Sequence, residues 1–318
     1  MKQIIARLES LGFAWWGILI LLLALLPLYM SETYVSLFSE ILIMALFAMS
    51  LNILIGYLGM ISFGHAGYFG LGAYSTAILM TKTSISWILA MASAPVVAAL
   101  GGVVFGFFCV RLTRIYFAML TFALAQIIYT IAFQWESLTG GDNGIVGVTF
   151  PDFLYETNNA YYFILIIVSV CAFFLFLIVN SPFGSTLRAI RENPERAEFV
   201  GIKIKAFQLI GFIVAAVFAG IAGALFTFYN GSIFPDYLLW TRSTEALIMC
   251  ILGGMFFFSG PAVGALVVQW LGTVLSRHTI YWPFILGLTL LLLVLFLRGG
   301  IVGFLTEGYS KIKARYHL

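Results

Sequence analysis

The chain has 318 residues, of which 62% are hydrophobic and only 9% charged, with sixteen lysines and arginines against thirteen aspartates and glutamates. A soluble domain carries about 25% charged residues, so a water-soluble globule is excluded, and a mean hydropathy of +1.07 places most of the chain in lipid. A disulfide framework is excluded too: Cys109, Cys171 and Cys250 are odd in number and lie in apolar runs, where they read as small packing residues.

A helix needs about 20 mostly apolar residues to cross the ~30 Å hydrocarbon layer. Along the chain, spans are expected at 11–30, 37–58, 86–110, 115–134, 160–180, 207–229 and 280–297. Three weaker candidates complete the set: the glycine-rich 61–81, and the short pair 243–257 and 261–276, parted around Ser259 and Gly260. The expected fold class is an all-α polytopic membrane protein of about ten transmembrane helices, one transmembrane domain over residues 1–318. The first run follows Lys2 and Arg7, but it is too long for a signal-peptide core and no small-residue cleavage site follows, so it reads as an uncleaved helix.

With ten crossings and both termini cytoplasmic, thirteen of the sixteen basic residues fall on the cytoplasmic face, leaving Lys82, Arg242 and Arg277 outside. That asymmetry agrees with the positive-inside rule. The glycine-rich, acidic loop 135–159 then faces the periplasm, and the charged loop 181–206 faces the cytoplasm.

A charge at the bilayer centre costs at least ~2.5 kcal/mol, and the spans nearly lack charge. Glu40 and Glu245 fall within a turn or two of expected span ends, where snorkelling or interfacial water solvates them. No titratable or ion-coordinating group stands near the midplane, so the energy source is expected outside this chain. The remaining polar groups are Asn52, Gln126, Thr130 and Gln269. Interhelical hydrogen bonds are their commoner use, with Asn52 and Gln126 the best candidates for lining a path. Ala98, Gly102 and Gly106, and Ala216, Gly220 and Ala224, recur every four residues, a spacing that lets helix backbones approach closely in lipid.

The segment GYLGMISFGHAGYFGLGAY over 56–74 holds six glycines, each weakening a helix by up to about 1 kcal/mol relative to alanine. Two readings stay open: a tight crossing of two helices, or an irregular backbone lining a cavity. Ser62, Gly64 and His65 of this segment join Asn52 and Gln126 as the candidate translocation path. There is no phosphate loop, HExxH or GxSxG motif, and His65, His278 and His317 are dispersed. No catalytic residue, metal site or cofactor is expected, and no nucleic-acid partner; membrane lipid is.

Loop 181–206 carries five basic and three acidic residues. Asn193, Pro194 and Glu195 form a helix start and Gly201 a helix end, predicting a helix over 194–200. A second helix, over 185–192, is expected to be capped by Ser185 and to bear Arg188, Arg191 and Glu192. Leu187, Ile190, Phe199 and Val200 are interleaved with the charges. A solvated linker has no need of two capped helices with apolar residues, so a dock for a peripheral partner is favoured, built from Ser185, Arg188, Arg191, Glu192, Glu195, Arg196, Ala197, Glu198 and Gly201.

Taken in order, GYLGMISFGHAGYFGLGAY, SPFGSTLRAIRENPERAEFVGI, AAVFAGIAGALF and GGMFFFSGPAVGALVV resemble the LivM-type permeases of branched-chain amino acid ABC importers, from about residue 37 to 303. The resemblance implies the ten-helix arrangement of type II importers in a bacterial inner membrane. It also implies a second, LivH-like permease, two cytoplasmic LivG/LivF-like ATPase subunits and a periplasmic substrate-binding protein as partners. Glu195, Ala197 and Gly201 resemble the family's EAA-and-glycine coupling pattern, from which Arg196 departs by standing where the first alanine would be. Importers of urea and short-chain amides have similar permeases, and a stand-alone channel is the rival from another class.

Overall fold

The computed structural model describes residues 20–296 and 299–315. The fold is all-α apart from one two-stranded pairing. The part of the expected first span before residue 20 lies outside the described residues; the described part is helix α1, Ile20–Tyr29. Helix α2, Glu32–Asn52, continues without a break into π-helical turns over Ile53–Leu58. Together they form an apolar rod of 27 residues, 94% of whose most apolar stretch is buried. Helices α7 (Thr157–Asn180), α10 (Ile204–Asn230), α11 (Trp240–Gly253) and α12 (Gly260–His278) all pack on α2, which makes it the central post of the bundle.

Around this post, α3 (His65–Lys82), α4 (Trp87–Cys109) and α10 form a tightly packed group. The buried residues of α4 include Ala90, Ala94, Ala98, Gly102 and Gly106, one per turn on a single stripe. A Cβ added at Gly102 would press on Ala216, and one at Gly220 on Ala98, while one at Gly72 would strike the backbone of Gly220. Helix α10 is therefore held between α3 and α4 by backbone approach, the use expected of small side chains where lipid provides no hydrophobic drive. Only 22% of the most apolar stretch of α4, and the same share of α5 (Arg114–Gln134), is buried. The rest presents Leu100, Val104, Ile115, Met119 and their neighbours outward, as lipid requires.

Among the described residues, five helices are long and apolar enough to cross a membrane: Glu32–Leu58, Trp87–Cys109, Ile115–Gln134, Thr157–Asn180 and Ile204–Asn230. Two of the weaker expected spans differ from the sequence reading. The segment expected at 61–81 begins as irregular backbone, and helix α3 starts only at His65. The one expected at 243–257 is α11, whose 14 residues extend only about 21 Å at 1.5 Å per residue. Beyond α13 (Trp282–Phe296), α14 (Gly300–Arg315) was not anticipated. It starts at Gly300, whose φ of 71° and close approach to Gly254 only glycine tolerates.

The expected periplasmic loop 135–159 is folded. It contains α6 (Glu136–Thr139) and strand β1 (Ile145–Val146), which pairs antiparallel with β2 (Ser232–Ile233) directly after α10. Lys82 at the end of α3 donates a hydrogen bond to the Ser137 carbonyl. This end of the bundle is termed the hairpin end. The opposite end carries α8 (Pro182–Glu192) and α9 (Pro194–Phe199) between α7 and α10.

Candidate functional site

The α8–α9 element begins where α7 ends, because Pro182 is preset for a first helical turn and Ser181 supplies the cap, accepting from the Gly184 N–H at 3.4 Å. The expected cap was Ser185. It lies instead within the helix, its Oγ on the Ser181 carbonyl at 3.3 Å, because the Ser-Pro pair three residues earlier starts the helix first. Asn193 caps α9 as expected, accepting from the Arg196 N–H at 3.0 Å. Gly201, at φ 86°, closes it with its N–H on the Glu198 carbonyl at 2.9 Å.

The apolar residues of the element divide. Leu187, Ile190 and Ala197 are buried, fastening it to the bundle, whereas Phe199 and Val200 are 91% and 78% exposed. Ser185, Glu192, Glu195, Arg196, Glu198 and Gly201 are exposed around them, and Arg188 is half-buried. Arg191 turns the other way. Its guanidinium donates to the Gly56 carbonyl in the π-helical turns of α2 and lies 5.0 Å from the ring centroid of Phe256, in the turn between α11 and α12. Burial lowers its pKa from the ordinary arginine value, with Glu192 and Tyr57 opposing and Arg188 adding to the shift. One side chain thus joins the surface element to two interior turns, a role the charge pattern alone did not distinguish from that of Arg188.

The interior junction of α2 and α3 collects four of the five candidate path residues. Ser50 has one hydroxyl proton and gives it to the Phe47 carbonyl at 2.7 Å. Its Oγ also lies 2.8 Å from one ring nitrogen of His65, Nε2, the other being Nδ1. That Nδ1, Asn52 Oδ1 and Ser62 Oγ are buried with no hydrogen-bond partner among the described residues. The imidazole is stacked on Phe47 at 5.3 Å and meets the edge of Tyr68 at 6.1 Å. A Cβ at Gly64 would strike the Thr121 carbonyl, so the backbone of α5 rides directly on the start of α3. Gln126 stands apart, half-buried on α5, on which Tyr116, Met119, Ile127 and Thr130 are exposed. Thr130 makes a bond within its own helix, to the Gln126 carbonyl at 2.8 Å, and not the interhelical one expected of it.

Helix α11 also departs from expectation. The chain leaves β2 at the hairpin end, and Leu238 seats on Gly70, in the second turn of α3, before α11 starts. The Ala66 N–H donates to Ser243 Oγ at 2.8 Å, so the N-termini of α3 and α11 meet inside the bundle. Glu245 is the sixth residue of α11, its side chain 28% exposed. It is paired with Arg242 at 2.7 Å and accepts from Gln269 Nε2 at 3.3 Å, the interhelical bond expected of Gln269. Glu40 faces the same pair across a cavity. The sequence concealed this group because each residue is spaced near the end of its own apolar run.

Comparison with known proteins adds the following. The profile of a family described as "Branched-chain amino acid transport system / permease component" matches residues 33–298. The high-affinity branched-chain amino acid transport system permease protein LivM of Escherichia coli K12 is 25% identical over 256 residues, 72% of this chain and 60% of its own length. A probable branched-chain amino acid transport permease protein LivM of Methanocaldococcus jannaschii is 24% identical over 261 residues, 69% of this chain and 74% of its own. The autoinducer 2 import system permease protein LsrC of Escherichia coli O9:H4 is 29% identical over 138 residues, 41% of this chain and 40% of its own. The chain thus spans about 60% of the length of the first of these relatives. No solved structure matches it.

Proposed function

The chain belongs to the family of permease components of branched-chain amino acid transport systems, and from that premise we propose that it is a transmembrane subunit of an ATP-driven importer for branched-chain amino acids. Ten crossings of a bacterial inner membrane, with both termini in the cytoplasm, complete this reading. The α8 end is the cytoplasmic face, since Arg111, Arg188, Arg191, Arg196, Lys203 and Lys205 border it. The hairpin end, with segment 135–159, is the face that a periplasmic binding protein meets.

The observation that carries the reading is the α8–α9 element: two capped helices, fastened underneath by Leu187 and Ile190, that hold Phe199 and Val200 out into water. An exposed apolar pair ringed by Glu195, Arg196 and Glu198 suits the groove of a peripheral ATPase. Two such ATPases, LivG- and LivF-like, and a LivH-like second permease complete the assembly. ATP-driven closure moves α8–α9, and the contact of Arg191 with Gly56 carries that movement to the π-helical turns beside Asn52. Access then alternates along the junction of Asn52, Ser62, Gly64 and His65 and the Gln126 face of α5, which the second permease covers.

Co-purification from the native membrane tests the assembly: an ATPase subunit is expected to accompany the chain, and a chain that retains none is a channel or facilitator instead. Glu195→Ala together with Gly201→Val tests the coupling. The pair is expected to leave assembly intact while separating ATP hydrolysis from uptake, and normal uptake with normally stimulated hydrolysis would sink the assignment. Similarity to an autoinducer 2 import permease gives a second reading, import of a different small polar solute. Uptake measured with leucine, isoleucine and valine against urea, short-chain amides and autoinducer 2 separates the two.

A further inference from the structure

A cavity of about 540 Å³ lies between α2, α11, α12 and α13, within the size range of small-molecule sites. Part of its lining is charged: Glu40, Arg242 and Glu245. Glu40 is eight residues into α2, about 12 Å along the axis, and Gln269 is the tenth residue of the nineteen in α12. The charged group therefore lies part-way along these helices, with the side chains of Arg242 and Glu245 23% and 28% exposed. Two facing helices line the space with polar stripes: Thr241, Thr244 and Glu245 on α11, and Gln269, Thr273 and Ser276 on α12. The spacings are those of one helix face, and stripes of this kind would be costly against lipid. The α12 stripe leads from Gln269 towards the end of that helix, where Trp282 of α13 borders the space. Ile248, Val268, Leu286 and Leu290 form an apolar wall.

The guanidinium of Arg242 is fixed in orientation. It lies 5.0 Å from the Tyr237 ring and 5.6 Å from the Phe226 ring, with one nitrogen on Glu245. A guanidinium carries five N–H donors, and the contact with Glu245 takes one of them. Glu40 and Glu245 line the cavity with this cation, and Asp236 lines the adjoining one with Arg242 and Glu245, so the charged lining also favours a ligand that brings an ammonium group. We propose that this cavity binds a small zwitterion with an apolar side chain, its ammonium on Glu40 and Glu245, its carboxylate on Arg242 and its side chain on the Ile248–Leu286 wall. The inference rests on the importer reading for the substrate class and gives that class a place within the chain. An ethanolamine phospholipid headgroup offers the same pairing of ammonium with anion. The polar stripes that line the space favour a free solute.

Trp240 and Trp282 border the cavity and report on it. The test uses the full chain in phosphatidylcholine nanodiscs, titrated with leucine, leucinamide (no carboxylate) or 4-methylpentanoate (no ammonium) while tryptophan emission is followed. Leucine is expected to give a saturable change that Trp240→Phe with Trp282→Phe removes, and the other two ligands to bind at least tenfold more weakly. Glu40→Gln and Arg242→Gln are each expected to weaken leucine at least tenfold. The three-ligand comparison on the unaltered chain decides the matter even where a variant fails to fold. A flat leucine titration, equal responses to all three ligands, or a response that requires added phosphatidylethanolamine overturns the proposal. ATPase recruitment is measured separately. A chain that recruits its ATPases yet titrates flat overturns the cavity alone, whereas a saturable titration on a chain that recruits none overturns only the importer reading.

Discussion

The pair α4 and α10 and the pair α3 and α11 solve different problems. Between α4 and α10, small residues recur every turn and the backbones lie against each other along the whole contact. Helices α3 and α11 instead begin inside the bundle, where Ala66 N–H meets Ser243 Oγ. A helix start leaves up to four N–H groups without partners, and lipid can satisfy none of them, so such a start is tolerable only when protein surrounds it. Here α2, α5 and α10 provide that enclosure. The regular pair is scaffold. Around the interrupted pair lies what the scaffold lacks: buried polar atoms without a hydrogen-bond partner among the described residues, on Asn52, Ser62, His65 and Tyr74, together with a paired arginine and a cavity.

The largest effect is expected from breaking the scaffold. In Gly220→Leu the new side chain meets Ala98 and the Ala94 carbonyl on one helix, while the backbone of Gly220 is already in contact with Gly72 on another. Neither neighbour can yield, so destabilisation of about 3 kcal/mol or more is expected, read as loss of the monodisperse peak in detergent and a lowered unfolding temperature. Gly287→Leu on α13, where a Cβ meets nothing within 4 Å, is the matched control and is expected to be nearly silent. Equal damage from both would erase the distinction between a packed seam and a lipid-facing surface.

A smaller loss is expected at the link between the two regions. Arg191→Ala removes a charged donor from the Gly56 carbonyl and a cation from the face of Phe256. Hydrogen bonds to charged groups contribute about 1.5–3 kcal/mol, so stability should fall by about 2 kcal/mol. Uptake should fall more steeply than ATP hydrolysis, because the ATPase dock itself is left intact. Arg191→Lys keeps the charge but not the planar fork that stacks and donates together, and an intermediate uptake is expected. Parallel losses of uptake and hydrolysis would mean that Arg191 serves stability alone.

What could be read from the sequence follows the same division. Periodicity identifies a span when the helix runs its full length, which is why the two four-residue repeats, the long spans and the capped α9 were legible. It fails where a helix starts part-way across. The glycine-rich segment left a tight helix crossing and an irregular, cavity-lining backbone open: the backbone is irregular over 59–64, and a tight crossing follows where Gly72 meets Gly220. Glu40 and Glu245 each looked like an ordinary span-end residue, because only the third dimension brings them to one arginine. The Ser181-Pro182 start is legible in principle from its cap-and-proline chemistry, which outweighs the cap expected at Ser185.

About 1 kcal/mol is expected at each device that shapes the surface element. Asn193→Ala leaves the Arg196 N–H without its 3.0 Å acceptor, and loss of such a cap typically costs ~1 kcal/mol. Gly201→Ala places a side chain in open space, yet at a φ of 86°, where a Cβ costs roughly 1–2 kcal/mol. Thermal unfolding in detergent checks both, and a cost at Gly201 well above 2 kcal/mol would show that the residue is packed against something besides its own turn.

The smallest effect on the fold is expected at the tip of α9, and there stability and function should part company most clearly. Phe199 and Val200 are almost fully exposed, so Phe199→Ser with Val200→Ser loses little buried apolar area and should change stability by less than about 0.5 kcal/mol. If the pair seats in an ATPase groove, the same two substitutions remove the apolar anchors from the interface, and ATPase subunits should be lost on co-purification. A linker that merely obeys the positive-inside rule predicts no loss, because no charge has changed. The outcome therefore separates docking from topology at one site: an unchanged unfolding temperature with retained ATPases would leave the exposed pair without a partner and return the α8–α9 element to the scaffold.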